Sequence, residues 1–194
     1  MMNDEVTEVA KVVDVVDTKQ DDEKDAVVSV AKEDSPEELV RWNRLATSMQ
    51  YFHDYFRQEY NEIYKLADGS FNEQGMNLPS FLRKIFAWKR HLETHHSIEE
   101  RFFFPILAKR MPAFANDEQH RKSHDGIHKG LDELGTHLAT WRSAPTTYSP
   151  ETLRKCLDSF GDVLLRHLDE EVKDLQAENM KKYWKLEEVD RIAI

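Results

Sequence analysis

Four segments of the chain repeat apolar residues at steps of three and four, the spacing that places side chains on one face of an α-helix. In each segment, histidine or glutamate replaces one or two of the expected apolar residues. The clearest case is the second segment, where His95 and Glu99 follow Leu92 on the same predicted face. Four such segments joined by short links predict an all-α, up-down-up-down four-helix bundle whose core contains these polar residues. The four faces run over residues 39–63, 82–106, 120–141 and 153–171.

Capping motifs indicate where the helices begin. Ser35 precedes a proline and lies three residues before Glu38, which is the pattern of a capping box, and Ser149 likewise precedes a proline. Residues 116–119 predict a third cap. Pro105 is expected to kink the second helix or to end its regular part, because proline cannot donate a helical hydrogen bond.

The stretch before the first cap differs from the rest of the chain. Residues 1–34 alternate valines with charged residues and contain no aromatic residue, a composition typical of chain that does not form a packed core. We therefore expect a disordered acidic leader over residues 1–34 and a bundle over residues 35–178. A short tail over residues 179–194 is expected to pack on the bundle through Tyr183 and Trp184.

Charge and composition limit the partners of the protein. Its formal net charge is −10, which disfavours nucleic acid and anionic membrane as partners because phosphate binding requires clustered Lys and Arg. The sequence has no membrane-spanning apolar run and no signal-peptide pattern, and its single cysteine excludes an internal disulfide framework. These features predict a soluble, cytoplasmic protein, whose leader offers a place for a protein partner to bind.

Seven histidine and glutamate residues fall on the predicted core faces, with at least one on each helix. For any one of them, a buried structural histidine is the more frequent explanation. Seven together would leave many buried polar groups unsatisfied unless a cation neutralises and orders them. Imidazole and carboxylate ligands suit iron, manganese or zinc. The candidate metal ligands are His53, His95, Glu99, His120, His124, His167 and Glu171.

This combination resembles the hemerythrin-like, or HHE cation-binding, family over residues 38–178. The family pattern is one His on the first helix, His-x-x-x-Glu on the second, His-x-x-x-His on the third, and His-x-x-x-Glu or His-x-x-x-x-Asp on the fourth. The resemblance implies a non-haem centre of two iron ions. It assigns His53 and His95 to one iron, His120, His124 and His167 to the other, and Glu99 and Glu171 as bridges. The fourth-helix spacing matches the broader family rather than the oxygen-carrying hemerythrins, which have Asp one residue further on.

Three functions are compatible with such a centre, and the sequence leaves open whether the protein is an enzyme. The first is binding or sensing of dioxygen, a related diatomic or peroxide ligand, or iron itself. The second is an oxidoreductase that uses dioxygen or peroxide, and the third is a metal-storing bundle. Trp88, Phe102 and Phe56 either line an open position beside the metal or are ordinary core aromatics. We expect the ferrous protein to oxidise rapidly rather than bind dioxygen reversibly.

Some histidines have no assigned role. His91 and His128 each lie one helical turn from a predicted ligand, as rim residues or as supporting groups. His96 and Glu100 repeat the His-x-x-x-Glu spacing one residue further on, so the second helix has two alternative registers. The apolar face favours the register that begins at His95.

Overall fold

The computed structural model describes residues 33–115 and 118–193, and these residues form helices and turns without any β-strand. The predicted all-α bundle is confirmed, with each long helix packed against two others in the cyclic order α2, α3, α5, α6. Almost all of the predicted leader, and Asn116 and Asp117 of the third predicted cap, lie outside the described residues. No helix in the described residues is sufficiently long and apolar to traverse a membrane. The long helices are α2 (Arg44–Leu66), α3 (Leu78–Ile98), α5 (Gln119–Ser143) and α6 (Pro150–Asp174), and the short ones are α1 (Pro36–Trp42), α4 (Phe104–Leu107), α7 (Ala177–Met180) and α8 (Leu186–Val189).

The first cap forms as predicted. The Ser35 hydroxyl accepts from the backbone N–H of Glu38, and the Glu38 carboxylate accepts from the backbone N–H of Ser35. The helix is then interrupted at Asn43, whose side-chain oxygen accepts a hydrogen bond from the backbone N–H of Ala177. The prediction that Leu39 faces the core is wrong, because α1 and α2 are separate helices and Leu39 is 41% exposed.

Two clusters of buried apolar side chains fill the bundle. On α2, Met49 belongs to one cluster and Phe56 to the other, and His53 lies between them in the sequence. The buried histidines and glutamates on the other three segments also fall between members of the two clusters along the chain. The polar groups therefore form a layer with apolar packing on both sides, which separates them from bulk water.

A π-helical segment, Glu99–Phe103, joins α3 to α4. The backbone N–H of Phe104 donates to the carbonyl of Glu99, five residues back, so the chain holds one residue more per turn than a regular helix. The regular part of the helix thus ends before Pro105, as predicted. Because of this extra residue, the side chains of Phe103 and Phe104 point into the core. Phe102, predicted to face inward, is 65% exposed instead.

Gly130 of α5 allows a close approach of α6, because it has no side chain. A Cβ atom on Gly130 would lie 2.2 Å from Cδ1 of Phe160, a distance that real structures do not show. The aromatic ring of Phe160 therefore occupies the space that any larger residue at position 130 would need.

The chain after α6 closes one end of the bundle. Met180, Val189 and Ile192 are buried in the same apolar cluster as Met49. The Arg110 guanidinium lies 4.5 Å from the ring centre of Trp184, which is half-buried, whereas Tyr183 is 38% exposed. Hydrophobic packing and a cation–π contact together hold this segment on the bundle.

Candidate metal centre

All seven predicted ligands lie in the polar layer, and six of them are fully or almost fully buried. Glu99 is 2% exposed, and the other five buried residues have no solvent-accessible surface. The seventh, His95, has 12% of its side chain exposed, so one side of the site approaches the protein surface.

Both carboxylates lie between histidines of different helices. Oε1 of Glu99 is 2.8 Å from Nε2 of His95, and Oε2 of Glu99 is 3.5 Å from Nε2 of His124. Oε2 of Glu171 is 3.6 Å from Nε2 of His53 and 3.5 Å from Nε2 of His167. Each carboxylate therefore contacts one histidine that the resemblance assigns to each iron, as the resemblance implies for Glu99 and Glu171.

The donor atoms gather into two groups that share Glu99. Within each group, one donor atom from every residue lies within 4.8 Å of the others. The structure therefore brings both registers of the second helix, His95 and His96, to the site. The groups are His53, His95 and Glu99, and His96, Glu99, His124 and His167.

His96 and His120 differ from their predicted places. His96 is fully buried and stacks on His124 with 3.9 Å between ring centres, yet neither of its nitrogens has a hydrogen-bond partner among the described residues. His120 stands outside both groups, with Nε2 3.0 Å from Oδ2 of Asp174 and its ring stacked on Phe114. Its Nδ1 is buried and has no partner in the part of the chain that the structure describes.

Hydrogen bonds fix the orientation of two other imidazoles. Nδ1 of His53 donates to the carbonyl oxygen of Leu168 at 2.8 Å, which leaves Nε2 as the free acceptor facing Glu171. Nδ1 of His124 lies 2.8 Å from Oε1 of Glu100. Such partners on the outer nitrogen are typical of metal-binding histidines, because they fix the ring and make the other nitrogen more basic. Glu100 thus takes the place of an orienting group.

Many buried polar atoms at the centre lack hydrogen bonds, and their chemistry shows whether the site suits a metal ion. A buried polar atom without a hydrogen-bond partner costs free energy, and folded proteins contain few such atoms. Divalent cations prefer nitrogen and oxygen donors of this kind, so the residues fit a metal pair. The unpaired atoms of the centre, counted within the described residues, are Nε2 of His53 and His95, both nitrogens of His96, Nδ1 of His120 and His167, and both oxygens of Glu99 and Glu171.

Burial shifts the protonation equilibria of these groups. It lowers the pKa of His53 to about 3, that of His95 to about 4 and that of His124 to about 2, so these imidazoles are neutral at pH 7. Burial also raises the pKa of both Glu99 and Glu171 well above the usual range. Neutral imidazole is the form that binds metal, and bound cations would favour the ionised carboxylates.

An apolar pocket of about 530 Å³ opens beside His95 and Glu99. Phe56, one of the three aromatic residues considered in the sequence, lines it, and its ring centre lies 5.0 Å from that of His95. Phe102 also lines the pocket. Trp88 is instead a core residue, whose indole N–H donates to the carbonyl of Phe56. The open side of the site is therefore bounded by aromatic side chains of α2 and the π segment.

Two further histidines lie at the edges of the site. His91 lines the pocket, and its Nδ1 is 3.4 Å from the hydroxyl of Tyr55. His128 is half-buried, with its ring edge-on to that of His96 at 5.3 Å. Neither residue belongs to the two donor groups that share Glu99.

A third cluster of donors lies elsewhere, where Glu133 and His137 of α5 approach Cys156 of α6. Glu133 is exposed, and burial raises the pKa of the Cys156 thiol to about 12. A neutral thiol is a poor metal ligand, so this cluster lacks the features of the main centre.

Comparison with known families agrees with the geometry. The model of the hemerythrin HHE cation-binding domain matches residues 45–178. The chain belongs to the hemerythrin HHE cation-binding family. As a member of this family, it is a cation-binding protein, and the candidate ligands of all four long helical segments fall inside the matched range.

Among curated proteins, this hemerythrin-like chain is similar to the dimeric xanthone biosynthesis cluster protein R11 of Cryptosporiopsis sp. (strain 8999). The two are 28% identical over 150 residues, which cover 72% of this chain and 54% of the relative. The chain thus spans about half the length of the curated relative it matches. No solved structure matches it.

Proposed function

We propose that the protein binds two iron ions in a non-haem di-iron centre and uses it to bind or sense dioxygen or a related small ligand. The observation that carries the proposal is the position of Glu99 and Glu171. Each carboxylate contacts histidines of both groups, and none of its oxygens has a hydrogen-bond partner among the described residues. Two bridging carboxylates would let a pair of divalent ions share one buried site.

The ligand division follows the resemblance to the family. His53 and His95 would hold one iron, and the three other predicted histidines the second. We keep His120 as a ligand because Asp174 bonds one of its nitrogens and leaves the other without a partner among the described residues, which is the arrangement found at His53. His96 has no such orienting partner in the described structure, although it lies closer to the other donors.

The protein residues also control what reaches the site. Bound iron would supply a redox-active centre for dioxygen or peroxide. Phe52 and Phe56 lie against the His95 ring, at 5.7 and 5.0 Å between centres, and they limit the water that can reach it. Glu100, which bonds His124 and is partly exposed, offers a group that could exchange protons with solvent.

A second candidate function is an oxidoreductase built on the same centre. It is favoured by the partly exposed His95, which gives the site an open side next to the pocket. The relative's name places that protein in a xanthone biosynthesis cluster, which supports a role of the centre in the chemistry of an organic molecule. In this case the centre would turn over a substrate rather than report on a ligand.

The test is anaerobic reconstitution of the purified full chain with ferrous iron, followed by metal analysis and absorption spectroscopy on exposure to air. About two irons per chain and a new visible absorption are expected. Iron content near zero would refute the di-iron proposal. Consumption of hydrogen peroxide or an added reductant far beyond the protein concentration would favour the oxidoreductase, and a single oxidation would favour the sensor. Full recovery of the ferrous form over many cycles would indicate a reversible carrier.

A further inference from the structure

The pocket beside His95 is large for the small ligands considered so far. Its volume of about 530 Å³ lies in the range of sites that bind organic molecules, roughly 300–1,000 Å³. Dioxygen or peroxide would occupy only a small part of it. A molecule that fills the pocket must therefore have many more atoms than dioxygen or peroxide.

The residues around the pocket are mostly aromatic and apolar, and several are exposed. Soluble proteins seldom gather exposed apolar side chains without a binding role. Four of the exposed large apolar side chains in the described residues line this one pocket. These are Phe52, Tyr55, Ile98 and Phe102.

The π segment creates part of this surface. In a regular helix, Phe102 would continue the inward face of α3, but the extra residue of the π segment turns it outward to the pocket, where it is 65% exposed. Segments of this kind are frequent at functional sites. The π segment thus begins at Glu99, which lies among the metal donors, and it turns Phe102 to the pocket.

The inner end of the pocket reaches the candidate metal donors. His95 and Glu99 both line it, and Glu99 is one of the residues with unpaired buried oxygens. The polar groups nearby are few: the Tyr55 hydroxyl, 3.4 Å from Nδ1 of His91, and the Thr94 hydroxyl, which donates to the carbonyl of Arg90. An occupant would therefore meet aromatic walls, a few hydroxyl and imidazole groups, and the metal site.

We propose that this pocket binds a neutral aromatic small molecule, of about two or three fused rings, with one edge next to His95 and Glu99. Flat rings suit walls made of phenyl and phenol side chains, and neutrality suits a lining without a free cation among the described residues. A protein partner fits less well, since specific interfaces bury roughly 800 Å² on each partner, whereas this feature is a compact concavity. The inference rests on the proposed function for the chemistry beside the pocket, but binding itself can be measured without metal.

The experiment measures binding of 2-naphthol to the metal-free full chain by the fluorescence of the ligand. Decahydro-2-naphthol, a saturated compound of the same skeleton, is measured by its displacement of bound 2-naphthol. We expect saturable binding of 2-naphthol, several-fold tighter than that of the saturated compound. Phe102→Ala should weaken it about tenfold. Tyr183→Ala removes an exposed aromatic side chain outside the pocket and serves as the matched control, with unchanged binding.

A second measurement tests the position of the ligand. In protein loaded with manganese(II), the proton NMR lines of bound 2-naphthol should broaden strongly, and in zinc-loaded protein they should not. Broadening that disappears in Phe102→Ala while metal content stays the same would place the ring beside the centre.

Several outcomes would overturn the proposal. These are no saturable binding, equal binding of both probes, or equal effects of Phe102→Ala and Tyr183→Ala. Conversion of a dimer to a monomer by Phe102→Ala, without loss of 2-naphthol affinity, would show that the face is a subunit interface instead. If the protein does not bind metal but still binds 2-naphthol in a Phe102-dependent way, the di-iron proposal is refuted and the pocket proposal is supported. If it binds metal but not 2-naphthol, the pocket proposal is refuted and the di-iron proposal is supported.

Discussion

Glu99 is the residue on which the candidate centre depends most directly, because its two oxygens contact histidines of both donor groups. The carboxylate of its neighbour Glu100 instead contacts Nδ1 of His124, the nitrogen that faces away from the other donors. The two adjacent glutamates therefore offer a matched pair of substitutions, one at a ligand and one at an orienting group.

We predict that Glu99→Gln lowers the iron content from about two to below one per chain, because an amide cannot bridge two cations as a carboxylate does. Glu100→Gln should retain iron but bind it roughly 10- to 100-fold more weakly, the usual cost of losing an orienting partner. Metal analysis and chelator competition measure both effects. A greater loss of iron in Glu100→Gln would mean that the register of the second helix is one residue further on.

The variants His120→Ala and His96→Ala test which of these two histidines is the third imidazole ligand of the second iron. We expect His120→Ala to lose about one iron per chain, because Asp174 orients that ring as metal-bound histidines are oriented. His96→Ala should keep both irons, and metal analysis of the two reconstituted variants compares them directly. The reverse ranking would assign the ligand role to His96, as the distances among the donor atoms favour.

At this scale, the sequence could predict which residues are buried in the polar layer but not all of their orientations. A step of three or four residues identifies a helix face, and His53, His124 and His167 all lie where it places them. The burial of His96 could not be predicted in the same way, since a face count selects one register and the structure brings both His95 and His96 to the donors. The pairing of His120 with Asp174 depends on the packing of α5 against α6.

Among the elements, α3 and the π segment show where a periodic pattern fails. The inward residues of α3 up to Leu92 are buried as a regular helix predicts. Beyond Glu99, a constant period of 3.6 residues assigns Phe102 to the core, and the extra residue of the π segment reverses that assignment. Proline at position 105 was the feature that indicated a break, but it did not specify the kind of break.

The α5–α6 contact gives a prediction that is independent of metal. Gly130→Ala should destabilise the protein by about 1–3 kcal/mol, because the new methyl group overlaps the ring of Phe160. Gly126→Ala, on the same helix, meets only Val163 at 3.8 Å and should be neutral or stabilise by up to about 1 kcal/mol through its helix propensity. Urea unfolding of the metal-free variants measures both free energies. Equal effects would show that the helices are not so closely packed at Gly130.

Across the whole molecule, the polar layer makes folding and metal binding interdependent. The layer holds unpaired nitrogen and oxygen atoms between two apolar clusters, so the metal-free fold carries their desolvation cost. A ligand that binds only the folded state stabilises it by mass action.

Removal of iron should therefore lower the melting temperature. Free metal at a thousandfold excess over its dissociation constant stabilises a protein by about 4 kcal/mol, which corresponds to roughly 10 °C for a domain of this size. Differential scanning calorimetry of the chelated and reconstituted full chain measures the difference. Glu99→Gln is the control and should melt at nearly the same temperature in both conditions; an unchanged melting temperature in the wild type would contradict the role of the metal.

The segment that closes the end of the bundle has a practical consequence for work with this protein. Arg44 donates to the carbonyl oxygens of Val189 and Ile192, and this holds the chain so that Ala193 lines the pocket beside His95. Any polypeptide fused after residue 194 would therefore start within reach of the pocket mouth. A purification tag at that end would compete with an aromatic ligand for access, and a histidine-rich tag would also offer imidazoles near the metal donors. Affinities and metal contents measured on such a fusion would describe the tag as much as the protein.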